Sequence, residues 1–239
     1  MIPLRDDNPT KIVPVVTVAL IAVNTLVFLY QLSLGPGEER IFVYQFGAIP
    51  AVILGESALP AGVAAIPPVL SVFTSMFLHG GFMHLIGNML YLWIFGNNIE
   101  DAMGHARYIF FYILTGVAAS LAHVVTNIDS TIPSIGASGA ISGVLGAYLL
   151  LYPRAQVLVL VPLGFFTRLM YIPAGVVLVL WFLLQLLQGS LTLGQGGGGV
   201  AFWAHIGGFV AGMILVGVFK NRSVSFFNPP HSHPRVEDW

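Results

Sequence analysis

The sequence predicts an all-α polytopic membrane protein, a bundle of six transmembrane helices, on two observations. Only 8% of its 239 residues are charged and 56% are hydrophobic, whereas soluble domains carry about 25% charged residues. Six apolar runs are also long enough, or nearly so, to cross a bilayer core, which takes about 20 residues. Most of the surface is therefore expected to face lipid rather than water.

The first run, residues 12–34, is too long for the apolar core of a signal peptide, so it is interpreted as an uncleaved span. Residues 35–68 mix charges with apolar patches and are expected to lie at the membrane interface. Residues 157–168 are apolar but short and contain Pro162 and Gly164. They are predicted to form an interfacial or re-entrant piece rather than a crossing. The other five spans are predicted at 82–99, 107–126, 137–152, 170–188 and 201–219.

The basic residues predict the orientation of the bundle. With six spans, both termini lie on one side, and only Arg40 among the nine lysines and arginines lies opposite. This asymmetry predicts cytoplasmic termini, in the cell membrane. A seventh span at 157–168 would put Arg168 on the far side, so that alternative is rejected. The predicted organisation is a cytoplasmic segment at 1–11, a membrane domain at 12–220 and a flexible cytoplasmic tail at 221–239.

Composition excludes several classes of function. A net charge of −1 with no basic run argues against nucleic acid as a partner. The absence of cysteine excludes disulfides and thiolate metal sites, and no His-Glu-x-x-His zinc-protease motif occurs. The lipid bilayer is the expected partner, and neither a metal nor a cofactor is expected.

Polar residues on three predicted spans fall in the same outer half of the bilayer. Ser138 lies in "IGASGAISG" at the start of the fourth span, and His205 lies near the start of the sixth. His84 and Asn88 lie early in the second span and, being four residues apart, share one helical face. All three spans run inward from the outer side, so these four side chains are expected to meet.

Small residues on the fourth and sixth spans predict how those helices pack. Gly139 and Gly143 are four residues apart, as are Gly208 and Gly212. Such spacing lets helix backbones approach closely in lipid. If the two spans pack through these glycines, the serine and the histidine are brought together.

A serine paired with a histidine predicts nucleophilic catalysis. A serine hydroxyl needs a base to remove its proton, and imidazole suits that task near neutral pH. The oxyanion that forms needs donors. Free N–H groups at the helix start, including that of Gly139, could supply them together with His84 and Asn88.

No carboxylate in a span could orient His205. Asp129, in the loop before the serine, is better explained as a turn residue, so the sequence predicts a Ser–His dyad rather than a triad. The glycine-rich segment before the sixth span, with Gly196–Gly199 at its centre, is expected to form a mobile lid.

At these residues the chain resembles the rhomboid intramembrane serine proteases. The resemblance implies a six-helix bundle with a membrane-embedded loop between helices 1 and 2, and cleavage of single-pass transmembrane substrates without metal or cofactor. Four motifs in the family's order carry it: His84-x-x-x-Asn88, Gly96-x-x-x-Glu100-x-x-x-Gly104, Gly136-x-Ser138-Gly139, and Ala204-His205-x-x-Gly208-x-x-x-Gly212.

The chain departs from the family pattern at two places. Leu70 and Ser71 stand where many members carry a Trp-Arg pair, and Ser142 stands where relatives often place a tyrosine that supports the histidine ring. Another side chain, or closer packing, would then have to hold His205.

The sequence leaves other functions open. His84 and His205 could be axial ligands of a haem, although that leaves Asn88 and the serine motif without a role. A transporter would want acidic residues inside its spans, and none is present. A catalytically inactive rhomboid-like protein that binds membrane-protein clients is the main alternative. Glu100 and the histidines at 79, 105 and 123 are interpreted as structural.

Overall fold

The structure is a computed structural model that describes residues 1–163, 166–192 and 200–228, and it is mostly helical. Its helices are α1 (Val15–Ser33), α2 (Pro36–Phe46), α3 (Pro50–Ile53), α4 (Ser71–Thr74), α5 (Phe82–Met103), α6 (His105–Thr126), α7 (Ser138–Leu151), α8 (Ala174–Thr192) and α9 (Phe202–Phe219). Its strands are β1 (Ile2–Asp6), β2 (Gln156–Leu163) and β3 (Phe166–Pro173).

Each of the six predicted apolar runs contains a helix. Helices α1, α6, α8 and α9 are long and apolar enough to cross a bilayer, and α5 joins them if the segment Pro68–Phe77, bent by 80° from it, is counted in the same span. Helix α7 has 14 residues, fewer than the roughly 20 of an ordinary span. The chain is an integral membrane protein with four or five candidate spans among its described residues, and six crossings stay a prediction.

Helix α7 lies inside the bundle. Eleven of its 14 residues are buried, and it packs against α5, α6, α8 and α9. Its small residues fit this position, since a helix enclosed by others has neighbours close to its backbone. Ser138 at its first turn is only half-buried.

A three-stranded antiparallel sheet in the order β1-β2-β3 lies beside the last turns of α7. The prediction of an all-α fold is wrong at this point, because β2 pairs with β3 on one side and with β1 on the other. That residues 157–168 lie at the membrane interface rather than crossing it stays a prediction. Val157 and Val159 are buried while Leu158 between them is partly exposed. This period of two is typical of a strand, and an interpretation based on run length overlooks it.

The loop between the first two spans contains α2 and α3. Thr74 in α4 donates a hydrogen bond to the Phe46 carbonyl (2.6 Å), and Ala48 pairs with Ser134, just ahead of α7. These contacts attach the loop to the same end of the bundle as Ser138. Its depth in the bilayer stays a prediction.

The segment after α9 packs back onto the bundle. The Asn221 N–H donates to the Ala102 carbonyl in α5, and the N–H groups of Phe227 and Asn228 donate to the last turn of α7. The first eight residues of the predicted tail, 221–239, thus lie against the helices, and its last eleven are outside the described part of the chain.

A buried carboxylate joins α1 to α5. Glu100 has no exposed surface, and it accepts hydrogen bonds from the N–H groups of Val16 and Thr17, from the Thr17 hydroxyl and from His105 Nδ1. The N–H groups at a helix start have no partner inside the helix and favour a negative charge. The structural role predicted for Glu100 is confirmed.

Candidate active site

Ser138 is the first residue of α7 and follows a turn that requires glycine. Gly136 has a φ of +128°, a region that side-chain-bearing residues rarely adopt. A Cβ at this position would lie 2.8 Å from the His84 ring, so glycine is required for space as well as for conformation. The Gly136 N–H donates to the Ser75 carbonyl (2.8 Å), which fixes the turn that presents the serine.

The first turn of α7 also presents backbone donors. The first hydrogen bond along this helix runs from the Ile141 N–H to the Ala137 carbonyl. The N–H groups of Ser138, Gly139 and Ala140 therefore have no carbonyl acceptor one turn earlier in the helix. A helix start of this kind favours an anion.

His205 lies on α9 with its ring against the serine. His205 Nε2 is 2.8 Å from Ser138 Oγ, which is hydrogen-bond distance for a base and the proton that it removes. The two residues are 67 positions apart in the chain, so the contact depends on how α7 and α9 pack. His205 is 9% exposed, which leaves its ring enclosed yet open to the cavity described below.

Glycines bring the backbones of α7 and α9 into contact. A Cβ on Gly212 would lie 2.6 Å from the Gly143 Cα, and a Cβ on Gly208 would overlap the Gly139 carbonyl oxygen. Real Cβ atoms essentially never approach other atoms to less than 3.0 Å. Gly208 and Gly212 thus allow an approach of α9 to α7 that no larger residue would permit, whereas Cβ atoms on Gly139 and Gly143 would meet Ala119 and Thr115 of α6.

The other nitrogen of the His205 ring contacts a residue that the sequence analysis missed. Gln185 Oε1 on α8 lies 2.7 Å from His205 Nδ1, and Gln185 is 8% exposed. Trp181, one turn earlier on α8, packs with its ring centroid 5.9 Å from that of His205. The sequence does contain a signal for Gln185, because a polar residue in an apolar helix usually faces the bundle interior.

Asn88 is held by a second histidine. Asn88 Nδ2 lies 3.0 Å from His79 Nε2. The backbone of His79 is in turn bound by Gln31 of α1, whose Oε1 accepts from the His79 N–H and whose Nε2 donates to its carbonyl. The sequence indicates a structural role for His79, and in the structure its ring contacts the side chain that the sequence predicts as an oxyanion donor.

Ser138, His205, His84 and Asn88 line one cavity. Its volume of about 900 Å³ is within the range of ordinary ligand sites. Residues of α5, α6, α7, α8, α9 and the loop before α7 bound it. Its wall includes both polar and apolar side chains, among them Ser138, His205, His84, Asn88, Tyr91, Ile141, Leu145 and Trp181.

The other residues that the sequence singled out take different positions. Asp129 does not orient His205, whose Nδ1 contacts Gln185. His123 lines the cavity with Asn127, and its interpretation as structural stays a prediction. The central residues of the predicted lid, 193–199, and the histidines at 231 and 233 in the tail lie outside the described residues.

Comparison with known proteins gives the family. The rhomboid domain model matches residues 68–222, more than half of the chain. The chain belongs to the rhomboid family. It is 30% identical over 159 residues to the yeast protein named Rhomboid protein 1, mitochondrial, covering 65% of this chain and 43% of that one.

Two further rhomboid relatives extend the comparison. The chain is 32% identical over 171 residues to RHOMBOID-like protein 5 of Arabidopsis thaliana, covering 68% of this chain and 48% of the relative. It is 42% identical over 78 residues to Rhomboid protease GluP of Bacillus subtilis, covering 33% of this chain and 15% of that protein. The chain thus spans less than half the length of these curated relatives.

The position where many rhomboids carry a tyrosine is filled differently here. Ser142 donates its hydroxyl proton to the Ser138 carbonyl (2.6 Å) within α7, so it does not reach the His205 ring as a tyrosine could. Gln185 and Trp181 contact that ring instead, from α8. This rhomboid therefore holds its histidine from a neighbouring helix.

Proposed function

We propose that this rhomboid is a serine endopeptidase that cleaves transmembrane segments of membrane proteins by a Ser–His dyad. The observation that carries the proposal is the 2.8 Å separation of Ser138 Oγ and His205 Nε2 on the wall of a cavity of about 900 Å³. The printed name of the Bacillus subtilis relative, a rhomboid protease, supports the same chemistry.

In the proposed reaction, Ser138 Oγ attacks the scissile carbonyl carbon while its proton passes to His205 Nε2. The carbonyl oxygen becomes an oxyanion, which accepts hydrogen bonds from the free N–H groups at the start of α7, from Asn88 and from His84. His205 then gives the proton to the leaving amine, and the C–N bond breaks. A water molecule, deprotonated by the same imidazole, hydrolyses the acyl-serine and restores the enzyme.

The proposed substrates are single-pass transmembrane segments that contain small or helix-weak residues near the site. An intact helix satisfies its carbonyls with its own N–H groups, so a peptide bond becomes accessible only where the helix opens. Ser138 lies at the outer end of α7 if the basic residues mark the cytoplasmic side, which would put cleavage near the extracytoplasmic face. Protease added to oriented vesicles tests this orientation: tails cut from the extracytoplasmic side would contradict it.

The contacts of His205 weigh against the haem alternative. An axial ligand needs a ring nitrogen with a free lone pair, and the two nitrogens of this ring contact Ser138 and Gln185. A ligand role through Nε2 would require the contact with Ser138 to break, although the Nδ1 contact with Gln185 could remain. The inactive client-binding alternative keeps the same contacts and is distinguished by experiment.

The deciding experiment is covalent labelling by a fluorophosphonate in proteoliposomes, followed by cleavage of a transmembrane peptide with small residues at its outer end. We expect the protein to be labelled and to cleave, and Ser138→Ala to lose both. Ser190→Ala is the matched control, because Ser190 is exposed on α8 and bonds only to a carbonyl of its own helix among the contacts described. Labelling that persists in Ser138→Ala would refute the dyad, and absence of both activities in the unaltered protein would favour the client-binding alternative.

A further inference from the structure

Gln185 is a buried polar side chain that contacts the His205 ring and to which neither the proposed reaction nor the family motifs assign a role. It lies on α8, among the leucines of "WFLLQLLQ", and its Oε1 is 2.7 Å from His205 Nδ1. A buried polar group in such surroundings is costly unless it is hydrogen-bonded. The 2.7 Å contact is therefore the feature that explains why an amide is accommodated here.

The direction of this hydrogen bond determines which nitrogen of His205 can act as a base. A neutral imidazole has one N–H and one lone pair. With the Gln185 oxygen facing Nδ1, the proton must be on Nδ1, and the lone pair on Nε2 faces the Ser138 hydroxyl. If the amide were reversed, Nε2 would carry the proton, and the ring could not accept the serine proton at that nitrogen.

The same contact acts on the charged form of the ring. When His205 takes the serine proton it becomes an imidazolium with two N–H donors, and the Gln185 oxygen still accepts one of them. An amide does this without a charge of its own. A carboxylate in the same place would need to be desolvated among apolar side chains, which is costly inside a membrane protein.

We propose that Gln185 is the positioning residue of the dyad: its side-chain oxygen accepts the Nδ1 proton of His205 and so holds the ring in the tautomer and orientation that activates Ser138. The inference rests on the proposed peptidase function. Trp181 restricts the ring from the same helix, with an interplanar angle of 34°. Together Gln185 and Trp181 support the His205 ring, as a tyrosine at position 142 could.

The test compares two variants of similar size. Gln185→Met fills the same space without an oxygen acceptor, and Gln185→Glu keeps an acceptor at the same reach. Leu184→Ala is the control, because its side chain is 53% exposed on α8. We expect Gln185→Met to lower kcat by about 10- to 100-fold, the usual worth of a hydrogen bond to a charged group, with KM within about threefold. Gln185→Glu should recover most of that loss at pH 8, and Leu184→Ala should match the unaltered protein.

Wild-type kcat in Gln185→Met would overturn the inference, as would a Gln185→Glu variant no more active than Gln185→Met. Because either variant could misfold, nitrogen-15 NMR of the histidines in the unaltered protein provides a test without mutation. The His205 signal should be that of a ring protonated at Nδ1, and a ring protonated at Nε2 would overturn the inference. If Ser138→Ala abolishes labelling while Gln185→Met has no effect, only the positioning role fails. If Ser138→Ala changes nothing, the peptidase proposal fails, and the NMR signal still tests the contact.

Discussion

The packing of α7 against α9 leads to a prediction whose size follows from the structure. In Gly212→Ala the new Cβ would overlap the Gly143 carbonyl oxygen and would lie 2.6 Å from the Gly143 Cα, at least about 0.8 Å short of the 3.4 Å at which ordinary contacts begin. Because the obstacle is backbone, no side-chain rotation can relieve it, and α9 has to move away from α7. If α9 moves as a rigid helix, the 2.8 Å contact between Ser138 and His205 lengthens to at least about 3.6 Å, beyond the reach of a hydrogen bond.

We expect this change to lower the rate of fluorophosphonate labelling by about 100-fold, the usual effect of a misplacement near 1 Å in an active site. The thermal unfolding of Gly212→Ala, followed by circular dichroism, should show a loss of about 1–3 kcal/mol from overpacking. Gly217→Ala on the same helix is the matched control, because its Cβ would meet only the end of the Phe226 ring at 3.7 Å. A Gly212→Ala protein labelled within about threefold of the unaltered rate would refute the reasoning.

Two further predictions concern the end of the bundle opposite the cavity. Glu100→Ala leaves the N–H groups at the start of α1 buried without an acceptor, so thermal unfolding should show a loss of about 3–5 kcal/mol. Glu56→Ala, at an exposed position, should show none, and equal losses in both would contradict this role. Burial raises the pKa of Asp6 in β1 from 3.8 to about 6. The folded protein therefore holds a proton that the unfolded chain releases, and the unfolding free energy should fall by roughly 2 kcal/mol as the pH rises through this interval. Asp6→Asn should remove that dependence in thermal melts from pH 4 to 7, and an unchanged profile would show that another group causes it.

Four of the residues that line the cavity could be predicted from the sequence, because the direction of each helix and the position of a residue along it together indicate how deep that residue lies. Ser138, His205, His84 and Asn88 each lie near the start of a helix that runs inward from the same side, and the structure has all four on one cavity wall. A serine next to glycines also indicates a helix start with free N–H groups. Neither inference needs any knowledge of which helices are neighbours.

The sequence does not predict the contact of Gln185 with His205, which depends on tertiary packing. It also does not predict strand β2, whose alternation of buried and exposed residues is hidden by its apolar composition. Gln185 cannot be assigned to His205 from the sequence, because the pairing depends on how α8 rotates against α9. The strand β2 is apolar at nearly every position, so its alternation of buried and exposed residues, seen at Val157 and Leu158, is masked by a uniformly hydrophobic run. Partner β1 lies some 150 residues away, and nothing local indicates that pairing.

Two of the helices that contact α9, namely α7 and α8, control different properties of the dyad. Between α7 and α9 the contact is backbone on backbone, through Gly208 and Gly212, so it sets the distance from Ser138 to His205 and tolerates no added atom. Between α8 and α9 the contact is made by side chains, Gln185 and Trp181, so it sets the direction in which the imidazole faces. A change in the glycines should therefore move the histidine away from the serine, whereas a change at Gln185 should leave it in place with its proton on the wrong nitrogen. This separation explains how Ser142 can replace a tyrosine here: orientation can come from any neighbouring helix, but the distance depends on the glycines.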